Sequence, residues 1–263
     1  MIVVLKILGL LFFVLVLYHA VRMRVLIQRG KKVAKNAVAF QRILPEATMR
    51  ILIAGDSTAV GTGAARPEES VAGRFSSDYP DAEIVNVSRN GMRVRELLSE
   101  LEGGSQSTSR LGSKNNIVRP EWRTSFVGSF DLIVLQIGAN DIVYFTPLSQ
   151  LREDLDALLK RARELSHTVL ILHSGNLGAA PLFPWPVSTF YTARTRRVRS
   201  LYQELAVKGG AHYVDLFQER RDDIFLQDPE KYYLTDLYHP SSDGYGVWYR
   251  RIRETLDEID WNE

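Results

Sequence analysis

Cysteine is missing altogether from the 263 residues, which excludes disulfides and thiolate metal sites and leaves either redox compartment open. Charge of one sign is also scarce: 33 Lys and Arg stand against 31 Asp and Glu, a net of +2. Most of the basic excess gathers in one stretch, Arg22, Arg24, Arg29, Lys31, Lys32, Lys35 and Arg42, so there is no electrostatic reason to expect a nucleic-acid partner. No internal repeat is found. Nor is there a small-x-small cleavage site around Tyr18-His19-Ala20, the mark of a removed signal peptide.

What is present first is a long apolar run. From Ile2 to Val21 the chain is interrupted by Lys6 and His19 alone, a length that crosses a hydrocarbon core of about 30 Å as a helix. Lys6 lies within two turns of the end, where its stem can snorkel to the interface. A membrane anchor, a cleaved signal peptide and a buried helix all fit such a run, and the missing cleavage site favours the uncleaved anchor. The expected organisation is a single-pass transmembrane anchor over 1–21, a basic juxtamembrane linker over 22–48 and one folded domain over 49–263. The basic residues after the span favour a cytoplasmic domain and would attract anionic headgroups.

The domain opens with an apolar stretch, Ile51-Leu52-Ile53-Ala54, that ends in Gly55-Asp56-Ser57. Late in the chain comes Asp236-Leu237-Tyr238-His239-Pro240. A serine hydroxyl is a weak nucleophile at neutral pH, and it needs an imidazole to take its proton and an acceptor to orient that imidazole. Asp236 and His239 have the spacing at which two side chains meet across a helical turn. Two further segments, Val85-Asn86-Val87-Ser88-Arg89-Asn90-Gly91 and Ile133-Val134-Leu135-Gln136-Ile137-Gly138-Ala139-Asn140-Asp141, each put a glycine just past a strand-like run. Taken singly, Ser57 fits a helix N-cap, Gly91 a turn, Asn140-Asp141 a capping pair and His239 a surface turn.

Together, in this order, the four segments resemble the four blocks of the SGNH hydrolases, the GDSL-type esterases and lipases, over roughly residues 50 to 250. The resemblance implies Ser57 as nucleophile, Asp236 and His239 as the rest of a triad, and Ser57, Gly91 and Asn140 as oxyanion-hole donors. It implies hydrolysis of an acyl ester borne by a lipid, a sugar or another small molecule, with no metal or organic cofactor. Members of this family are often exported, so it also leaves an exported or periplasmic domain open. Thr58 stands where the family name expects leucine, while Gly61 keeps the GDSxxxG spacing. Asp56 and Asp141 are expected to support the turns beside the site. An acyltransferase is the alternative within the same chemistry. A different class is a non-catalytic, flavodoxin-like module whose glycines from Gly55 to Gly63 cradle a phosphate or nucleotide; it would have no need of Asp236 and His239.

Strands are expected at Arg50–Ala54, Glu83–Ser88, Asp131–Gly138, Thr168–His173 and His212–Phe217, several of them continuous Val, Ile and Leu runs. Helical periodicity marks Arg93–Glu102, Leu148–Leu165, Ser188–Val207 and Ser241–Ile259, with Ser241 as N-cap. Alternating strands and helices predict an α/β fold, a three-layer sandwich around a parallel five-stranded sheet of flavodoxin-like type. Ser57, Gly91 and Asn140 would then lie past the carboxyl ends of strands. Gly103–Ser129 is expected to be a long surface connection. Gly175–Tyr191, rich in proline and aromatics, is expected to border the site as an acyl wall, a lid, a surface leaning on lipid or a loop packed on its own domain. The basic face Arg194, Arg196, Arg197 and Arg199 is expected to be a solvated helix side. No oligomeric state is specified.

Overall fold

In the computed structural model, residues 2–103, 130–259 and 261 are described. The connection expected from Gly103 onward therefore falls almost wholly outside the described residues. Five strands form one sheet in the order β2-β1-β3-β4-β5, with every pair parallel. They are β1 (Met49–Gly55), β2 (Ala82–Asn86), β3 (Leu132–Gln136), β4 (Val169–Leu172) and β5 (His212–Tyr213). Residues Leu132 to Leu135 and Val169 to Ile171 are completely buried, as in a sheet covered on both faces. Each such aliphatic side chain contributes about 1.5–3 kcal/mol on burial.

The helices are α1 (Ile2–Asn36), α2 (Ser57–Val60), α3 (Val71–Asp78), α4 (Val94–Leu101), α5 (Ala139–Val143), α6 (Leu148–Leu165), α7 (Val187–Gly209), α8 (Ile224–Gln227), α9 (Pro229–Tyr232) and α10 (Ser242–Ile259). Apolar residues of α4, α6 and α7 fill one face of the sheet, and those of α3 and α10 fill the other. This is the expected three-layer α/β/α sandwich. The Ser241 hydroxyl accepts from the Gly244 N–H at 3.2 Å at the start of α10, the N-cap role its residue type suggested.

The amino-terminal helix is longer than the apolar run. The helix does not end with the apolar run at Val21 but continues unbroken to Asn36, through more than half of the stretch expected to be a linker. The sequence reason is a stripe at helical spacing: Met23, Leu26, Gly30, Ala34 and Ala37 recur every three or four residues. Leu26 and Gly30 are buried, and Leu26 and Met23 join the apolar cluster on the α4/α6/α7 face. From Ile2 to Val21, in contrast, the aliphatic and aromatic side chains are all about half exposed or more.

Candidate active site

The sheet order reverses around β1, whose neighbours continue the chain in opposite directions, and open α/β sheets place ligands in the crevice at such a point. Ser57 stands there, one residue past β1, as the first residue of the short helix α2. Asp56 caps that helix: its Oδ1 accepts from the N–H of Thr58 at 2.9 Å and from the Thr58 hydroxyl at 2.8 Å. Thr58, the departure from the family name, thus holds the turn in which Ser57 sits. Burial raises the Asp56 carboxyl to about 6, against the opposing bonds from Thr58.

His239 reaches Ser57 from the far end of the chain. Its Nε2 lies 3.2 Å from Ser57 Oγ, and its Nδ1 lies 2.6 Å from Oδ2 of Asp236. The tautomer that fits both contacts carries its proton on Nδ1 and leaves Nε2 to accept from the hydroxyl. The other Asp236 oxygen accepts from the N–H groups of Tyr238 and His239, each at 3.0 Å. Burial acts to raise the Asp236 carboxyl, but the hydrogen bond and charge of His239 and those two N–H bonds outweigh it. The group is held below the usual carboxylate range.

Gly91 lies on the loop after β2, and Asn140 is the second residue of α5, just past β3. Gly91 has φ +79° and nothing within 4 Å of the place a Cβ would occupy, so its main chain faces open space. The Asn140 side-chain amide donates to the Met92 carbonyl at 3.0 Å, which fixes its plane and leaves the second N–H of the same nitrogen unassigned. Asp141 ties these segments together, accepting from the Val94 N–H at 3.0 Å and the Thr146 hydroxyl at 2.9 Å. Ser57, His239 and Asp236 are thus in contact at the carboxyl end of the sheet, and Gly91 and Asn140 follow the carboxyl ends of β2 and β3. A cleft of ≈ 470 Å³ opens beside Ser57 and His239, walled by Leu177, Phe217, Phe225, Tyr238 and Trp248, with Asp215 and Arg251 among its polar groups.

A sequence model described as the GDSL-like lipase/acylhydrolase family matches residues 53–247. The chain belongs to that family. A GDSL-like esterase of Mycobacterium tuberculosis, Rv1075c, is 28% identical over 219 residues, 80% of this chain. The chain spans 63% of the length of that relative. Among solved structures, a lipolytic G-D-S-L protein from Veillonella parvula superposes with a TM-score of 0.57 at 15% identity, covering 79% of this chain and 97% of that one. TesA gives 0.54 at 18% identity over 80% and 99% of the two chains. At such identities the solved structures show the shared GDSL fold.

Sequence reasoning missed the part that α1 plays at this GDSL site. The Arg22 guanidinium donates to the Pro181 carbonyl at 2.9 Å, and Arg29 donates to the Thr235 carbonyl at 3.4 Å. Gly30 packs against the Asp236 carboxylate. Asn90, next to Gly91, donates to the Ala34 carbonyl at 2.8 Å and accepts from the Thr62 hydroxyl at 2.6 Å. The apolar stripe through the basic stretch is the one local trace of it, and the charges around that stripe mask it. Of Gly175–Tyr191, the residues Gly175, Asn176, Leu177 and Ala180 line the cleft.

Proposed function

We propose that this GDSL-family chain is a serine esterase or lipase anchored by a single membrane span over residues 1–21, with its catalytic domain from residue 49. What carries the reading is the continuous path from Ser57 Oγ to His239 Nε2 at 3.2 Å and from His239 Nδ1 to Asp236 Oδ2 at 2.6 Å, at the edge of an open cleft. Ser57 attacks the ester carbonyl as His239 takes its proton. The imidazolium, stabilised by Asp236, then gives that proton to the departing alcohol. Water deacylates Ser57 by the same route in reverse. The N–H groups of Ser57 and Gly91 and the free N–H of Asn140 receive the charge that builds on the carbonyl oxygen.

Support for the span comes from α1 itself, whose apolar window has mean hydropathy 2.5 and is not buried against the domain. The deciding experiment is covalent labelling of the full-length protein, in detergent, with a fluorophosphonate, alongside hydrolysis of p-nitrophenyl esters from acetyl to palmitoyl. Labelling and turnover are expected from the wild type and absent from Ser57→Ala. A wild type that labels no better than the variant would refute the reading.

A further inference from the structure

Among the described residues, four large aromatic side chains stand out into solvent on the catalytic side of the domain. Tyr144 is 67% exposed, Phe145 53%, Trp185 79% and Phe190 66%. Tyr144 and Phe145 follow α5, the helix that contains Asn140 and Asp141; Trp185 precedes α7 and Phe190 lies in its first turn. Phe145 is linked inward by a chain of ring contacts that passes through Tyr191, the neighbour of Phe190 in α7. Phe145 meets Tyr191 at 5.5 Å between ring centroids, Tyr191 meets Phe183 at 4.3 Å, Phe183 meets Tyr238 at 6.1 Å, and Tyr238 meets the His239 ring at 5.0 Å. Phe145 is thus the outer end of an aromatic wall that reaches the candidate site, and Tyr144, beside it, and Phe190, beside Tyr191, are its exposed sequence neighbours.

Their level relative to the anchor is fixed by α1. Arg22 is the first residue past the apolar run, the position of a headgroup-level charge in a spanning helix, and its guanidinium holds the Pro181 carbonyl at 2.9 Å. Trp185 is four residues from Pro181, hence within about 14 Å of that level. The helix runs on without a break to Asn36, and Gly30 meets Asp236 about 12 Å beyond Arg22 along the axis. No flexible tether separates span from domain, so the orientation of one sets that of the other.

Resting on the reading of α1 as a membrane span, we propose that Tyr144, Phe145, Trp185 and Phe190 form a second membrane contact, an aromatic rim seated in the bilayer interface that holds the mouth of the cleft against the lipid surface. Tryptophan and tyrosine rings, with an apolar body and a polar edge, are suited to that depth. Arg197, two turns beyond Phe190 on α7, and Arg24, two residues beyond Arg22 on α1, are exposed positive charges, which favours a surface bearing anionic headgroups. The rim is continuous with α1 through the Arg22 contact, which argues for the bilayer over a soluble protein as its occupant.

The test uses full-length protein in vesicles of phosphatidylcholine and phosphatidylglycerol whose acyl chains carry bromine, a quencher of indole fluorescence. Trp185→Phe is expected to lose a component that the wild type shows as quenched; equal quenching of wild type and variant, with Trp185 emitting as in water, would overturn the proposal. In a second measurement, Trp185→Ser with Phe190→Ser should leave turnover of a water-soluble acetyl ester within about twofold, while turnover of a long-chain ester carried in the vesicles falls about tenfold. Losses equal on both esters, or absent on both, would count against the rim. A dimer that these two substitutions dissolve, with no quenching of Trp185, would assign the surface to a second copy and overturn the proposal. Release of the chain by alkaline carbonate would refute the span itself, and a wild type inert on both esters would refute the esterase reading; in that case quenching of Trp185 still decides the rim.

Discussion

A Cβ placed on Gly30 would stand 2.8 Å from Oδ2 of Asp236, the same oxygen that meets Nδ1 of His239. The stretch of α1 beyond its apolar run therefore packs directly on the carboxylate proposed to orient the base, and only a residue without a side chain leaves that oxygen where it is. Gly30→Leu should displace Asp236 and lower turnover of a soluble ester about tenfold to a hundredfold, because small misplacements of a catalytic group cost that much. Gly30→Ala should cost less. Steady-state kinetics on both variants check this, with melting temperature as the control; unchanged turnover in Gly30→Leu would show that the helix is not needed there.

Removing the helix gives a second expectation. A chain that begins at Arg22 keeps the Pro181, Thr235 and Ala34 contacts and should retain most of its activity on soluble esters. One that begins at Val38 leaves Asp236 uncovered and the Asn90 amide without its carbonyl partner. The shorter chain also loses the burial of Leu26 in the α4/α6/α7 cluster, worth about 1.5–3 kcal/mol, so it should be both less stable and less active. Denaturant midpoints and turnover of the two truncated chains check this, and equal values would separate α1 from the site.

For Asn140 the geometry sets a sharper expectation. Its amide is already oriented by the Met92 carbonyl, so the free N–H needs no reorganisation when charge develops on a substrate oxygen. Asn140→Ala should lower kcat about a hundredfold with little change in KM, as for the loss of one oxyanion donor. An unchanged kcat would remove Asn140 from that role.

Much of this arrangement is legible in the residues because strands and motif turns are local. The buried runs Ile51 to Ala54 and Leu132 to Leu135 announce themselves by composition, and the turn residues that follow each run mark where it ends. β5 is shorter than expected, His212–Tyr213 in place of His212–Phe217, because Asp215 turns aside to pair with Arg199 and accepts the Phe217 N–H. The length of α1 was not legible for a different reason. Its apolar stripe beyond Val21 is narrow, flanked by Arg24, Arg29, Lys31, Lys32 and Lys35, and its value depends on a surface made by residues about 150 to 200 positions later, Pro181 and Thr235. Pairing at such separation leaves no periodic trace in the partner.

Asp56 and His173 should bend the stability curve in opposite directions. Burial raises Asp56 from its ordinary 3.8 to about 6, so the folded chain keeps a proton that the unfolded chain releases; its contribution is present at low pH and is lost as the pH rises through about 4 to 6. Burial lowers His173 from 6.5 to about 4, opposed by its bond to the Ser174 carbonyl, with Tyr213 Oη 3.0 Å from its other nitrogen. Here the unfolded chain takes up the proton first, so this contribution is present above about 6.5 and is lost as the pH falls toward 4. At 1.36 kcal/mol per pH unit, each amounts to up to about 3 kcal/mol, and in the wild type they largely cancel between pH 4 and 6. Asp56→Asn should therefore leave a protein whose stability drops more steeply on acidification than that of the wild type, and His173→Gln one whose stability drops less or rises. The other buried carboxylates are common to all three proteins, so the differences between curves isolate these two groups. Urea midpoints at pH 4.5 and 6.5 decide it: parallel changes in wild type and both variants would show that neither group titrates as its burial dictates.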